Sequence, residues 1–349
     1  MKFIEPTVTH VVEDDPVKVI EKAYRICYKS EGRMGEGSES LITKLLYREN
    51  GGNIHSSPLE HRSVVICAEA WIAETVEYWQ LKRATSYIDV SLVPVSCQET
   101  EGDYVELYDV KGNIRAFWDF VTDVSESDNE FIHNAQGAIV LALSKKFPAV
   151  FGPLLEVFKY AEDESIHSVE DDPQFATFHV VTTRDILQEV ARNRTISPNA
   201  ESTRYCNYGK LGVQFCVPYP YEWSNNVDWN TDLKQGVLNA QYKDGKAISA
   251  FEYIEKCDNF KDLFLFSCSI AESVYNKARS LGVEPQEARM ILPGGLKTEM
   301  LLSGRWRDWA HFINLRNDSA AHPQMIYIAN AIEQWFLDKG IEIREFDIY

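Results

Sequence analysis

Arg192-Asn-Arg-Thr-Ile-Ser-Pro-Asn-Ala-Glu-Ser-Thr-Arg-Tyr205 packs three Arg, two Ser, two Thr, two Asn and a Tyr into fourteen residues, against a single carboxylate, Glu201. Guanidinium forks match phosphate oxygens two at a time, and hydroxyl and amide donors complete the shell, so the run suits a polyanionic ligand. A solvated loop after a helix is the plain alternative. What precedes the run fixes its setting. Phe175-Ala-Thr-Phe-His-Val-Val181 is rich in β-branched and aromatic residues and reads as a strand. Ile186, Leu187, Val190 and Ala191 then fall on one stripe of a helix from about 183 to 193. A strand feeding a helix that opens into a donor-rich loop points to an α/β protein.

Other segments extend this pattern. Asp14-Asp15-Pro16 combines a carboxylate cap with Pro at the first helical position, and predicts a helix over 16–29 burying Val17, Ile20, Ala23, Tyr24 and Cys27. Gly32, Gly35 and Gly37 punctuate a loop before a short helix at about 39–49, and 62–67 reads as a strand. The stretch 68–174 gives mixed signals: a helix at 70–84, a turn-rich acidic part at 99–113, and acidic runs at 123–130 and 162–172. It reads as an insertion or subdomain packed on the main body of a single domain covering 1–349, with the aperiodic polar interval 218–259 as a second insertion. A helix over 261–280 presents Leu263, Phe264, Ser267, Ile270, Ala271, Val274 and Tyr275 on one face and stops at Gly282. The last helix, 323–338, opens at Pro323, buries Met325, Ile328, Ala329, Ile332 and Trp335, and ends before Gly340.

Composition narrows the function classes. The chain has 349 residues, 53 acidic against 35 basic, for a formal charge of −18. A field of that sign repels nucleic acid and anionic membrane, so neither is an expected partner and any Arg cluster is informative. No apolar run approaches the roughly 18 residues that span a bilayer. Met1-Lys-Phe-Ile-Glu-Pro lacks an apolar leader core, so the expectation is a soluble, cytoplasmic chain. Seven dispersed cysteines with no Cys-x-x-Cys pair argue against a disulfide framework or a thiolate zinc site.

Two further islands stand out. Arg289, Arg305-Trp-Arg307, His311 and Arg316 form a second basic stretch, and with 192–205 they suggest one composite anion site. Arg316 precedes Asn317-Asp-Ser319, which leaves a local ion pair open. His55-Ser-Ser-Pro-Leu-Glu-His61 groups two His and a Glu, but Pro58 breaks any helical face across it and the spacing matches no metal site. No metal is expected there. Cys206 and Ser202 lack an adjacent base, so they read as structural or phosphate-side groups rather than nucleophiles.

Taken together, these segments resemble the flavin-dependent thymidylate synthases. The run 192–205 is similar to that family's signature R-H-R-x-x-S-x-N-E-x-S-x-R-Y, 55–61 to its H-x-[ST]-P-[LF]-E-H element, and Ser303 to Ser319 to the block ending L-R-x-D-S. Asn193 stands where the signature has His, and Ala200 where it has Glu, with Glu201 one place later. The resemblance covers about 1–67, 175–217 and 260–337. It implies a mixed β-sheet flanked by helices, large insertions outside it, and a homotetramer with active sites shared between subunits. It also implies FAD as cofactor, with NADPH and methylenetetrahydrofolate as co-substrates, and methylation of dUMP to dTMP. By position it assigns Ser30, Ser57, Arg192, Asn193, Arg194, Arg307 and His311 to the cofactor. Glu189, Ala200, Glu201, Ser202, Arg204, Arg289 and Arg316 fall to the nucleotide, with Arg316 the catalytic group at the pyrimidine O2/N3 edge. A relative acting on another pyrimidine nucleotide or one-carbon donor, and a flavin or nucleotide binder without turnover, remain the alternatives.

Overall fold

A computed structural model of the chain describes residues 1–12, 15–47, 54–83, 88–100, 103–124, 129–159, 161, 164–218, 242–243, 246–247 and 250–347. Most of the polar interval 218–259, parts of the acidic runs 123–130 and 162–172, and Asp14 lie outside the described residues. The chain divides into two compact units: Met1–His10, Ile26–Lys29 and Phe178–Tyr349 in the first, Val11–Arg25 and Ser30–Thr177 in the second. It is an α/β protein. The single mixed sheet expected resolves, among the described residues, into separate sheets of five, four, two and two strands.

In the first unit the four-stranded sheet runs in the order Thr7–His10, Phe175–Thr183, Lys297–Arg305, Ser197–Ala200. The Lys297–Arg305 strand is buried along nearly its whole length, as its Met300-Leu-Leu302 centre requires of a strand flanked on both sides. It pairs antiparallel with the signature strand, Met300 opposite Ala200 and Ser303 opposite Ser197. Gly304 then passes so close to the signature that a Cβ there would lie 2.6 Å from Ile196 Cδ1. The helix Trp306–Arg316 follows directly. Its start is fixed by Asp308, whose Oδ2 accepts from Arg305 N at 3.2 Å and Arg305 Nε at 2.7 Å.

A core of Phe3, Tyr208, Phe215, Leu265, Tyr275, Ala288 and Leu296 seats the helix Phe260–Ser280 and the short helix Pro285–Ala288. The long helix begins at Asn259, whose side chain caps Asp262 N at 2.9 Å, and Gly282 follows it in the left-handed region at φ 88°. Its buried face is Leu265, Cys268, Ala271 and Tyr275. Ile270 and Val274, expected inside, are 45% and 44% exposed. They line an apolar groove of about 500 Å³ with Ile254, Leu263, Phe266 and Ile291. The helix carries two adjacent apolar stripes, and periodicity cannot say which one meets the core. The helix Pro323–Leu337 buries Met325, Ile328, Ala329 and Ile332 as expected, with Phe336 rather than Trp335 fully inside.

The second unit holds the five-stranded sheet: Ile88–Val90, Asp103–Asn113, Ser63–Glu69 and Ile166–Asp171 in order, with Ser96–Thr100 also pairing Asp103–Asn113. Residues 103–113, expected to be turns, therefore form an 11-residue strand. Its acidic side chains weaken the local strand signal, and three partner strands supply the pairing. Ser63 to Glu69 run antiparallel against Asn113 to Leu107. The apolar run at 137–143 lies inside the helix Glu130–Lys146, where a Cβ on Gly137 would sit 2.6 Å from Ala161 Cβ. The helix Pro16–Tyr28 buries Ile20, Ala23, Tyr24 and Cys27, while Val17 is only half-buried and Val19 takes its place inside.

Candidate functional site

The signature leaves the C-terminus of the helix Arg184–Val190, and each turn of its path has a local cause. The helix end is closed by Arg192 N and Asn193 N, which donate to the carbonyls of Glu189 and Val190 at 3.3 and 2.9 Å. Asn193 is 6% exposed. Its Oδ1 accepts from Thr195 N and Oγ1 at 3.3 and 2.9 Å, while its Nδ2 is buried with no hydrogen-bond partner. Arg192 and Arg194 are exposed. Along the extended run 197–201 burial alternates: Ser197, Asn199 and Glu201 point inward, and Pro198 and Ala200 lie on the opposite side. Ser202 Oγ then accepts from Arg204 N at 3.3 Å and sets the following turn, and Arg204 is exposed, its guanidinium 5.6 Å from the Tyr205 ring centre.

Three guanidinium groups from separate segments meet this run. Arg289 Nη1 donates to Thr203 Oγ1 at 3.2 Å. Arg316 Nη2 donates to the Glu189 carbonyl at 2.9 Å, and its Nε is buried without a partner. Arg316 thus turns to the signature, while Asp318 Oδ1 accepts from Ala320 N at 2.8 Å. Arg184, which the sequence reading did not single out, donates through Nη1 to the Glu201 carbonyl at 3.2 Å. A cavity of about 400 Å³ is lined by Arg184, Gln188, Thr203 and Arg289 among others; Arg204 and Arg316 are not among its lining residues. His311 and Arg307, both half-buried, lie on the helix Trp306–Arg316, with His311 Nδ1 3.7 Å from Asp347 Oδ1.

Beneath the run lies an ionic cluster. Glu201 is 2% exposed, and its carboxylate accepts from Tyr208 OH at 2.7 Å, Lys297 Nζ at 3.2 Å and Lys29 Nζ at 3.3 Å. Lys297, 3% exposed, also pairs with Glu299, which accepts from His179 Nε2 at 3.1 Å when that nitrogen carries the hydrogen. Burial pushes the Glu299 carboxyl up, but the His179 hydrogen bond and the Lys297 charge outweigh it and hold it at about 2. Lys29 takes φ 51°, a conformation uncommon for a side-chain-bearing residue, and its ammonium bridges Glu201 and Gln214. The Glu201 carboxylate is therefore engaged inside the unit. Its backbone N–H is fixed as well, donating to the Glu299 carbonyl at 2.8 Å.

The family described as thymidylate synthase complementing protein matches residues 159–338, just over half of the chain. The chain belongs to that family. The thymidylate synthase complementing match takes in every signature residue and the cations at 289, 307 and 316. Ser30 and Ser57 precede it. Three curated relatives are similar. A probable flavin-dependent thymidylate synthase of Paramecium bursaria Chlorella virus 1 is 29% identical over 163 residues, covering 47% of this chain and 66% of that protein. The flavin-dependent thymidylate synthase of Campylobacter jejuni strain RM1221 is 28% identical over 159 residues, 45% of this chain and 62% of the relative. A probable one from Mycobacterium phage D29 is 27% identical, with 45% and 57% covered. The chain thus spans about 57–66% of the length of these relatives.

Ser30 and Ser57 belong to the second unit. Ser30 N donates to the Arg25 carbonyl at 3.0 Å, and the loop after it is fastened by a buried carboxylate. Glu21 accepts from Arg25 Nε at 2.5 Å, Gly35 N at 3.0 Å and Ser38 Oγ at 2.8 Å. Sequence reading missed Glu21 because an acid at a helical core position carries no periodic signal; the only hint was the glycine-rich segment it would have to hold. Ser57 opens the short helix Ser57–His61, in which His61 is buried and pushed down to about 3 by desolvation. Glu60 pairs with Arg115 at 2.8 Å, and the His55 carbonyl accepts from Tyr24 OH at 2.6 Å. Among the described residues no group of three or more His, Cys, Asp or Glu is placed to hold a metal. Glu21→Gln should accelerate hydrogen exchange at Gly35 N–H by about tenfold or more, since a hydrogen bond to a charged group contributes about 1.5–3 kcal/mol. An unchanged rate there would show that the loop is held by something else.

Proposed function

We propose that the chain is a flavin-dependent thymidylate synthase that converts dUMP to dTMP, with methylenetetrahydrofolate as one-carbon donor and NADPH as reductant through FAD. The supporting observation is the gathering of Arg184, Arg289 and Arg316, from three separate segments, onto residues 189–203, which run from the helix just before the family signature into it. In a chain of net charge −18, such a concentration of cations calls for an anion.

The donor set fits a phosphate- and carbonyl-rich cofactor. Asn193 Nδ2 and Arg316 Nε are buried donors without partners, and buried N–H groups in native proteins are normally satisfied. In the first unit Arg192, Asn193, Arg194, Arg307 and His311 would hold FAD; Ser30 and Ser57, in the second, are assigned to it by the resemblance alone. When bound, FAD supplies the redox chemistry between NADPH and the transferred carbon.

The protein's own part is binding and field. Ser202, Arg204 and Arg289 hold the nucleotide phosphate, and Glu189, Ala200 and Glu201 contribute chiefly through the backbone they shape. Arg316 stabilises the negative charge that develops at pyrimidine O2/N3 as C5 attacks, and its guanidinium stays protonated throughout. No enzymic nucleophile is invoked, and Cys206 is buried. Assembly as a homotetramer and a cytoplasmic location belong to the same reading, and no helix among the described residues is long and apolar enough to cross a membrane. A second reading, another pyrimidine nucleotide or one-carbon donor, draws on Ala200, which removes a carboxylate from the side of the strand opposite Glu201.

The test has two steps. The purified protein should be yellow, with flavin absorbance. It should then release tritium from C5-labelled dUMP when NADPH and methylenetetrahydrofolate are supplied. A yellow protein without release on dUMP, but with release on a different labelled pyrimidine nucleotide, would favour the second reading; a colourless one would sink both.

A further inference from the structure

We propose that Lys29 is a positioning residue for the nucleotide: held in a strained helix-ending conformation, it moors the signature turn 201–204 to the last turn of the helix Pro16–Tyr28 and so fixes where Ser202 and Arg204 meet the ligand. This rests on the nucleotide-binding reading above, and it concerns a residue far outside the 192–205 signature. Lys29 follows the helix directly. Its N–H donates to the Ile26 carbonyl at 3.2 Å, and Ser30 N donates to the Arg25 carbonyl at 3.0 Å. That pair of bonds is the Schellman ending, whose first residue beyond the helix takes the left-handed conformation and is usually glycine. At φ 51° Lys29 is the only side-chain-bearing residue at positive φ among the described residues; the others are all glycines. A side chain costs free energy there that glycine would not. The contacts of that side chain are what offset the cost.

Those contacts converge on the signature. Lys29 Nζ reaches Glu201 Oε1 at 3.3 Å and Gln214 Oε1 at 3.1 Å, and lies 5.3 Å from the Tyr208 ring centre. The residue two places earlier grips the same run. The Cys27 carbonyl, one of those that a helix end leaves without an intrahelical partner, accepts from Ser202 N at 3.1 Å, and Cys27 Sγ donates to Asn199 Oδ1 at 3.1 Å. Ile26–Lys29 accordingly group with the first unit, although the rest of the helix groups with the second. Glu201 is thus held by its side chain and Ser202 by its N–H, immediately before Ser202 Oγ accepts from Arg204 N and turns the chain. Without Lys29 the Glu201 carboxylate would still have Lys297 and Tyr208, so no buried charge is stranded. What is lost is the tie between the helix end and the turn that presents Ser202 and Arg204.

Lys29→Gly and Lys29→Met separate this role from a structural one, since both remove the ammonium but only glycine relieves the backbone. The full flavin-loaded chain is titrated with dUMP, KM and kcat are taken from tritium release, and the denaturant midpoint is recorded. Both variants should bind dUMP about tenfold more weakly, the lower end of what one hydrogen bond to a charged group contributes, with KM raised to match, kcat within about twofold and flavin retained. The midpoint should fall in Lys29→Met and stay near that of the parent in Lys29→Gly. Lys29→Arg should recover part of the affinity. Unchanged dUMP affinity in both variants would overturn the assignment. An affinity that falls only in step with the midpoint would overturn it by reducing Lys29 to a structural strut, and a loss in kcat at unaltered KM would overturn it by moving Lys29 to the chemical step. A parent protein that binds flavin but no dUMP would instead bring down the nucleotide reading itself.

Discussion

Arg316→Ala should lower turnover on dUMP by about 10²–10³-fold, the usual result of removing one preorganised charge stabiliser, while flavin absorbance persists. The argument starts from where the side chain is held. Arg316 closes the helix Trp306–Arg316, and its Nη2 is fixed on the Glu189 carbonyl at 2.9 Å, three residues before the signature's three closely spaced donors Arg192, Asn193 and Arg194. That contact leaves a buried Nε without a partner, a group that a ligand carbonyl would satisfy. Arg316→Lys keeps the charge but not the planar fork, so it should recover only part of the rate. Flavin loss in parallel with activity would assign Arg316 to the cofactor instead. Full activity in Arg316→Ala would remove it from the reaction altogether.

Lys297→Met should destabilise the fold by about 3–5 kcal/mol, read as a lower denaturant midpoint at neutral pH, because it strands buried carboxylates without their cation. Lys297 is almost fully enclosed and serves both Glu201 and Glu299. Adding Glu201→Gln should restore part of the loss, since the two changes share one interaction. The acid side follows from Glu299. Its carboxyl sits at about 2 in the fold against an ordinary 4.5, so it contributes stability that is present above about 4.5 and is lost as pH falls toward 2. Removing Lys297 weakens that depression, and acid unfolding should begin at a higher pH in the variant. A loss below about 1 kcal/mol, or an unmoved acid limb, would show that Lys29, Tyr208 and His179 suffice without Lys297.

What was legible in the sequence was whatever is local. The helix Pro16–Tyr28 declares itself through Pro16 and its apolar spacing, the strand Phe175–Thr183 through its β-branched run, and the run 192–205 stands out through its density of donors. What was illegible joins distant residues. Lys29 and Glu201 are 172 positions apart and Lys297 another 96 beyond, so an inward-facing acid looks like a polar loop residue until both lysines are in place. The strand Asp103–Asn113 was hidden for the same reason, since its acidic side chains are tolerated only because Ser63–Glu69 pairs beside it. Arg184 carried a faint mark, a lone cation at the junction of strand and helix, but its placement depends on Gly294, Leu296 and Glu201.

The relation of Ala200 to Glu201 reaches beyond this molecule. In an extended chain neighbouring side chains face opposite ways, so sliding an acid by one place inverts its direction while leaving the composition of the motif untouched. A pattern that accepts Glu at either place would score the slide as harmless. Here the acid stands on the inner side of the run as an internal strut, and a homologue carrying both acids, or neither, should differ in the charge that the outer side of its run presents.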